Sequence, residues 1–302
     1  MIYTVTFNPA IDYVMRADSV RLGQTNRSLT ESIQFGGKGI NVSCILRELG
    51  VENTALGFIA GFTGEALREH LAAQGIHTKL ITLPEGMTRI NVKLKTTGAT
   101  MEETEINGAG PAIPRDRIEE LMAVLDTLSS GDTLVLAGSI PASLPKDMYS
   151  RILERLAGKG IRFVVDAEGG LLSAVLPYRP FLIKPNRAEL EGIVGHPLTS
   201  DSDLVSAAAE LQARGARNVL ISLGGDGALL LDEDGSCHRA PAVGGKPVNT
   251  VGAGDSMVAG FMAGVDRGYE YALKLGLSAG GATATSEGLA TGEQIWGLMK
   301  EM

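Results

Sequence analysis

From about residue 114 onward, short apolar runs near 132–137, 162–166, 180–183 and 217–222 alternate with amphipathic stretches of helical period, and that alternation admits few folds. Strands joined through helices pair in parallel, because a helical crossover returns the chain to the same end of a sheet. The pattern predicts an α/β fold: a doubly wound, mainly parallel sheet with helices on both faces. Nearer the N-terminus, Val42, Ile45, Leu46 and Leu49 fall at i, i+3, i+4 and i+7 with Gly50 as the stop, and a strand is predicted near Ala55–Ile59. Two regions leave the rhythm. Residues 11–34 scatter polar residues among β-formers, and 88–107 read as two strands around Thr97-Gly98. Along the first of these strands Ile90, Val92 and Leu94 alternate with Arg89, Asn91, Lys93 and Lys95, so one face is apolar and the other cationic. Together, 11–34 and 88–107 are expected to form a small β-sheet lid inserted into a main domain of residues 1–10, 35–87 and 108–302.

Glycine is the compositional outlier, with 39 of 302 residues, about 13% against roughly 7% in ordinary chains. Such an excess without a collagen period points to tight turns and close backbone approaches. The net charge of −8, from 27 basic and 35 acidic residues, argues against a nucleic-acid surface, so any anion site has to be local. Cys44 and Cys237 are too few and too far apart for a disulfide framework or a zinc site, and His70, His77, His196 and His238 show no metal or triad spacing. No run of about 18 apolar residues occurs, and the chain opens directly on strand-like residues. The expectation is a cytoplasmic protein with neither a nucleic-acid nor a membrane partner.

Two glycine turns open helices. Val251-Gly252-Ala253-Gly254-Asp255 precedes a helix carrying Val258, Phe261, Met262 and Val265 on one stripe. Free N–H groups and the positive end of the helix dipole converge there, suiting a phosphate and an ionised Asp255. A carboxylate beside such an anion hole can take a proton from an attacking hydroxyl, or it can simply be a first-turn acid complementing the dipole. Gly36-Gly37-Lys38-Gly39-Ile40-Asn41 is the second turn, with Lys38 and Asn41 on the first turn of its helix. Neither is a Walker A motif, and neither is a dinucleotide fingerprint, since Met257 and Val42 stand where a third glycine belongs.

Taken in order, Asn8-Pro9-Ala10-Ile11-Asp12, Asn26-Arg27, Gly36 to Val42, Thr88-Arg89-Ile90-Asn91-Val92, Gly138-Ser139-Ile140-Pro141, Lys184-Pro185-Asn186, Ser222 to Gly227 and Thr250 to Ser256 resemble the PfkB family of carbohydrate kinases, within the ribokinase-like superfamily. The resemblance spans nearly the whole chain and is closest to the branch containing 1-phosphofructokinase and tagatose-6-phosphate kinase. It implies a ribokinase-like sheet and lid, ATP and Mg²⁺ as cofactors, and a ketohexose phosphate as the small-molecule partner. The first choice of acceptor is D-fructose 1-phosphate, giving fructose 1,6-bisphosphate, and the near rival is D-tagatose 6-phosphate.

By the same resemblance Asp255 is the base, and Gly252, Ala253 and Gly254 form the anion hole. Asp12, Gly37 and Asn41 hold the sugar; Arg27, Lys38, Arg89 and Ser139 surround its phosphate. Lys184, Asn186, Ser222, Gly224, Gly225, Gly227 and Thr250 lie along ATP, with the adenine near Ala279 and Ala282, and Glu189 places Mg²⁺ through water. Three cations at Arg27, Lys38 and Arg89 suit an acceptor that already carries a phosphate. Plainer readings stay open: Arg27 and Arg89 as solvated strand cations, Asn186 and Glu189 as a capping box, and the Ser222 to Gly227 loop as a hairpin turn. A homodimer through the lid is expected. A non-catalytic sugar-phosphate sensor is the rival from another class, disfavoured by the retained Asp255 turn, and a dinucleotide oxidoreductase fails on both glycine motifs.

Overall fold

Alternate side chains of the central strands go to opposite faces of one sheet, and helices cover both faces. Leu134 and Leu136 pack on one side and Val135 and Ala137 on the other; Phe163 and Val165 oppose Val164 in the same way, and Val219 and Ile221 oppose Leu220. A parallel sheet buried on both faces needs such unbroken apolar runs, which is why these segments are the legible ones. The computed structural model describes residues 1–97 and 103–302.

Among the described residues, the chain runs β1 (Ile2–Thr6), β2 (Ala10–Ala17), β3 (Thr30–Gly36), α1 (Lys38–Glu48), β4 (Asn53–Ile59), α2 (Gly61–Ala73), β5 (His77–Thr82), β6 (Arg89–Thr96) and β7 (Glu103–Asn107). It continues through α3 (Arg115–Asp126), β8 (Thr133–Ala137), α4 (Met148–Arg155), β9 (Arg162–Asp166), α5 (Gly169–Val175), β10 (Leu182–Ile183), α6 (Arg187–Val194), α7 (Asp201–Ala213) and β11 (Asn218–Ser222). The last elements are β12 (Ala228–Leu231), β13 (Cys237–Ala240), α8 (Ala253–Gly264), α9 (Tyr269–Ala284) and α10 (Gly292–Met299). The main sheet has the order β13-β12-β11-β10-β9-β8-β1-β4-β5. Only β12 is reversed within it, pairing antiparallel with β11 on one side and β13 on the other. Residues of α3 to α7 pack on one face, and those of α1, α8, α9 and α10 on the other. No described helix is long and apolar enough to cross a membrane.

The second sheet has the order β3-β2-β6-β7. Its centre is a parallel pair, β2 with β6, in which Asp12 faces Asn91 and Val14 faces Lys93; β6 then pairs antiparallel with β7, Lys93 facing Glu105. Of the turn expected at Thr97-Gly98, Gly98 lies outside the described residues. The two faces have opposite fates. A cross-strand row of Ile33, Tyr13, Val92 and Ile106 looks outward, with Ile33 58% and Ile106 61% exposed, while Asn91 and Lys93 on the other face are buried. An isolated alternating strand would hide its apolar side; here the polar side is covered, facing the main domain at the carboxyl ends of its strands. In open α/β sheets that end is where ligands bind.

Candidate active site

Asp255 sits in the first turn of α8, where the N–H groups of Gly254 and Asp255 have no intrahelical acceptor. Gly252 caps the helix in the left-handed region at φ 81°, and a Cβ there would fall 2.8 Å from Leu289 Cδ2 and 3.5 Å from Asn41 Nδ2. The glycine therefore lets α8 approach α1. Across that approach Asn41 Nδ2 donates to Asp255 Oδ2 at 2.8 Å. Only 6% of Asp255 is exposed. Burial, followed by the Asp166 charge, pushes its carboxyl up to about 6, against the opposing pull of Asn41, Lys38 and Lys184.

Asp166, at the end of β9, lies between two lysines. Its Oδ1 is 3.4 Å from Lys184 Nζ, and its Oδ2 is 3.7 Å from Lys38 Nζ, which also stands 3.8 Å from Glu168 Oε1. Lys184 and Asp166 are buried, and a Cβ added to Gly254 would lie 3.2 Å from Lys184 Nζ, so this ammonium rests against the first turn of α8. Burial alone would lower the Lys38 pKa, but Asp166, Asp255, Glu168 and Glu189 together outweigh it and hold the ammonium above its usual value. Gly37 caps α1 at φ 121°, where a Cβ would come within 2.7 Å of Thr6 Cγ2. Exposed Ser139 follows Gly138, whose position is 3.6 Å from Lys38 Cβ by the same test.

Asp12, on the buried face of the second sheet, has a partner on each oxygen. Asn91 Nδ2 donates to Oδ1 at 2.7 Å, and Lys93 Nζ stands 3.5 Å from Oδ2. Lys93 also reaches Glu105 Oε1 at 3.3 Å. Arg89, at the start of β6, is half-buried and donates from Nε to the Asn8 carbonyl at 3.1 Å. A cavity of about 240 Å³ is lined by Asp12, Gln34, Gly36, Asn41, Val251 and Leu289, among others. Arg27 stands apart, exposed between β2 and β3, with no hydrogen bond or ion pair to a described residue.

Asn186 and Glu189 form a full capping box on α6: Asn186 N donates to Glu189 Oε2, and Glu189 N to Asn186 Oδ1, both at 2.8 Å. Ser222, at the end of β11, bridges to Asn186. Gly224 and Gly227 take φ 57° and 88° in the turn joining antiparallel β11 and β12, and a Cβ at Gly224 or Gly225 would meet nothing within 4 Å. The loop is thus a hairpin turn, and it leaves open space beside two of its glycines. Thr250 is exposed, its carbonyl accepting from Ala253 N at 3.2 Å. The expectation for Ala279 and Ala282 needs correction: at 0% and 2% exposure both are packed in the core on α9 and present no surface to an adenine. Among the described residues, no group of three or more His, Cys, Asp or Glu could hold a metal ion by itself.

The arrangement thus collects Asp255, Asn41, Lys38 and Lys184 on one side, and Asp12 and Arg89 on the lid. Asp166, Asn91 and Lys93 carry no role in the sequence reading. For Asp166 the available signal was an acid closing an apolar strand, at the end where α/β sheets bind ligands. For Asn91 and Lys93 it was their spacing of two from Arg89.

The sequence profile of the pfkB family carbohydrate kinases matches residues 5–296. The chain is 43% identical over 304 positions to the 1-phosphofructokinase of Bacillus subtilis (strain 168), covering 100% of this chain and 98% of that one. It is 38% identical over 292 positions to the D-tagatose-1-phosphate kinase of Bacillus licheniformis, covering 96% and 94%. The fold superposes on phosphofructokinase-2 from Escherichia coli, crystallised with substrates and products, at a TM-score of 0.93 and 29% identity, covering 99% and 98%.

Proposed function

The chain belongs to the pfkB family of carbohydrate kinases and is an ATP-dependent sugar-phosphate kinase; from that premise we propose that it phosphorylates D-fructose 1-phosphate at the 6-hydroxyl, giving fructose 1,6-bisphosphate. The observation that carries the proposal is the Asp255 carboxylate, buried at the N-terminus of α8 and tied through Asn41 to the helix that begins with Lys38. A base there takes the hydroxyl proton while the sugar oxygen bonds to the γ-phosphorus and the bond to ADP breaks. The first-turn N–H groups of α8 and the ammonium of Lys184 face the charge that develops on the transferred group. Lys38, Arg89 and Ser139 hold the phosphate the acceptor already bears, and Asp12, Gly37 and Asn41 its hydroxyl end. Arg27, exposed between β2 and β3, is kept as a further ligand of that phosphate. Ser222, Gly224, Gly225, Gly227 and Thr250 line the nucleotide, with Asn186 beside them.

Mg²⁺ fits this donor set without a carboxylate cage, because the ion keeps waters and takes its other ligands from the phosphates. Glu189 spends one oxygen on its capping box and has a second to hold such a water. Glu189 would hold the ion there through water, and the ion would supply charge neutralisation to the phosphates.

We place the chain in the cytoplasm, where its unpaired Cys44 and Cys237 stay reduced. We assign the outward row of Ile33, Tyr13, Val92 and Ile106 to a homodimer interface; a monomer in sedimentation at micromolar concentration would remove that assignment. The test of the activity is ADP release with fructose 1-phosphate, tagatose 1-phosphate, tagatose 6-phosphate, fructose 6-phosphate and the free sugars. Fastest release with fructose 1-phosphate is expected. The tagatose-1-phosphate kinase relative favours a tagatose phosphate as second reading, which wins if that acceptor has the higher kcat/KM. No release with any acceptor would leave the sensor.

A further inference from the structure

We infer that Lys93 is a positioning residue for acceptor binding: it fixes the Asp12 carboxylate, together with Asn91, so that both oxygens point lone pairs at sugar hydroxyls. The inference rests on the role given to Asp12 under the proposed function.

Strand β6 carries Arg89, Asn91 and Lys93 at alternate positions, so their side chains leave the same face, successive ones about 6.6 Å apart at an ordinary strand rise. In the parallel pairing with β2, Asp12 lies directly opposite Asn91 and next along the face to Lys93's partner, Val14. The sheet thus delivers an amide to one carboxylate oxygen at 2.7 Å and an ammonium to the other at 3.5 Å. Lys93 is itself only 6% exposed. Burying an ammonium is costly, and a lysine needed merely to hold the sheet edge would keep its head in water. On the far side, Glu105 at 3.3 Å balances the ammonium.

A carboxylate so held is an acceptor only: one oxygen spends a lone pair on Asn91, and the other faces the Lys93 ammonium as an ion pair. What remains matches a pair of hydroxyl donors at a fixed separation. Without Lys93, one oxygen of Asp12 loses its charge-assisted partner and the carboxylate is free to turn about its Cβ–Cγ bond.

The test measures KM for fructose 1-phosphate and for ATP, and calorimetric binding of fructose 1-phosphate, in Lys93→Met, Lys93→Arg, Asp12→Asn, the Asp12→Asn/Lys93→Met double variant and Glu105→Gln. Lys93→Met should raise KM and Kd for the sugar phosphate about tenfold, as expected for a lost charge-assisted contact acting at one remove, and leave KM for ATP within twofold. Lys93→Arg should recover most of that loss. The double variant should bind no more weakly than Asp12→Asn, because Lys93 acts only through Asp12. Glu105→Gln, which removes the outer partner and spares the Asp12 contact, should leave acceptor KM within twofold. The inference is wrong if Lys93→Met spares acceptor binding, if its effect multiplies with that of Asp12→Asn, or if Glu105→Gln costs as much as Lys93→Met, which would mark a sheet-edge ion pair. It is also wrong if Lys93→Met raises both KM values alike. A chain that binds fructose 1-phosphate but releases no ADP would lose the proposed activity and keep this inference; an Asp12→Asn variant that binds normally would sink the inference alone.

Discussion

Two lysine-aspartate clusters flank the site, and their charges are arranged in opposite senses. On the main domain one carboxylate, Asp166, lies between two ammoniums, those of Lys38 and Lys184. On the lid one ammonium, Lys93, lies between two carboxylates, those of Asp12 and Glu105. In the first, two ammoniums stand beside a helix N-terminus, which suits phosphate, and Asp166 and Glu168 balance their charge. In the second, the Asp12 carboxylate accepts hydrogen bonds, which suits hydroxyl donors. Asp255 lies next to the first cluster, where Asp166 helps keep its proton affinity high and the lysines limit that rise.

The largest effect belongs to Asp255. Asp255→Asn should lower kcat by about 10² to 10⁴, the range for losing a positioned base. Single-turnover assays would check it, and near-normal turnover would end the assignment. The sign of its stability effect is the reverse of a usual carboxylate. The folded pKa, about 6, lies above the ordinary 3.8, so the native state holds the proton more tightly, and the fold is penalised as pH rises through that window. Above about pH 6 the penalty is complete, so Asp255→Asn should then be no less stable than the parent in urea melts. In the parent, kcat/KM should fall about tenfold per pH unit below about 6, as the base protonates.

Next comes the cationic cluster. Lys184→Met leaves buried Asp166 with the half-exposed Lys38 as its remaining lysine, and should cost on the order of 3 kcal/mol in stability with a higher KM for ATP. An unchanged ATP KM would detach Lys184 from the nucleotide. Arg89→Ala should raise acceptor KM about tenfold and spare ATP, as one lost charge-assisted phosphate contact does. Smallest is the exposed pair Arg16–Glu287, 3.0 Å apart, which joins the lid to the main domain. Arg16→Ala should change stability by less than about 1 kcal/mol, and a larger loss in denaturant melts would make this contact a lid latch.

Legibility followed burial and locality. The runs at β8, β9 and β11 were readable because a sheet covered on both sides demands uninterrupted apolar residues. Of the run near 180–183, only Leu182–Ile183 pairs, since that segment is buried for longer than it is hydrogen-bonded as strand. The glycine turns were readable because they sit beside helix starts, and Gly37 and Gly252 do take positive φ. Alternation along β6 showed two faces but not which was covered; pairing with β2, far away in sequence, decided that Lys93 goes in and Ile106's row goes out. Ala279 and Ala282 show the converse failure, because a small residue on an amphipathic helix looks the same whether it faces a ligand or α8.

By itself, then, the chain determined its sheet class, its glycine-capped helix starts and its family, all written in local periods and short motifs that depend on neighbours a few residues away. Tertiary structure alone decided which charges meet in each cluster. Asp166 meets Lys38 and Lys184, and Lys93 meets Asp12, across separations that no local period spans, and Coulomb interactions depend on distance in space and on burial rather than on order in the sequence.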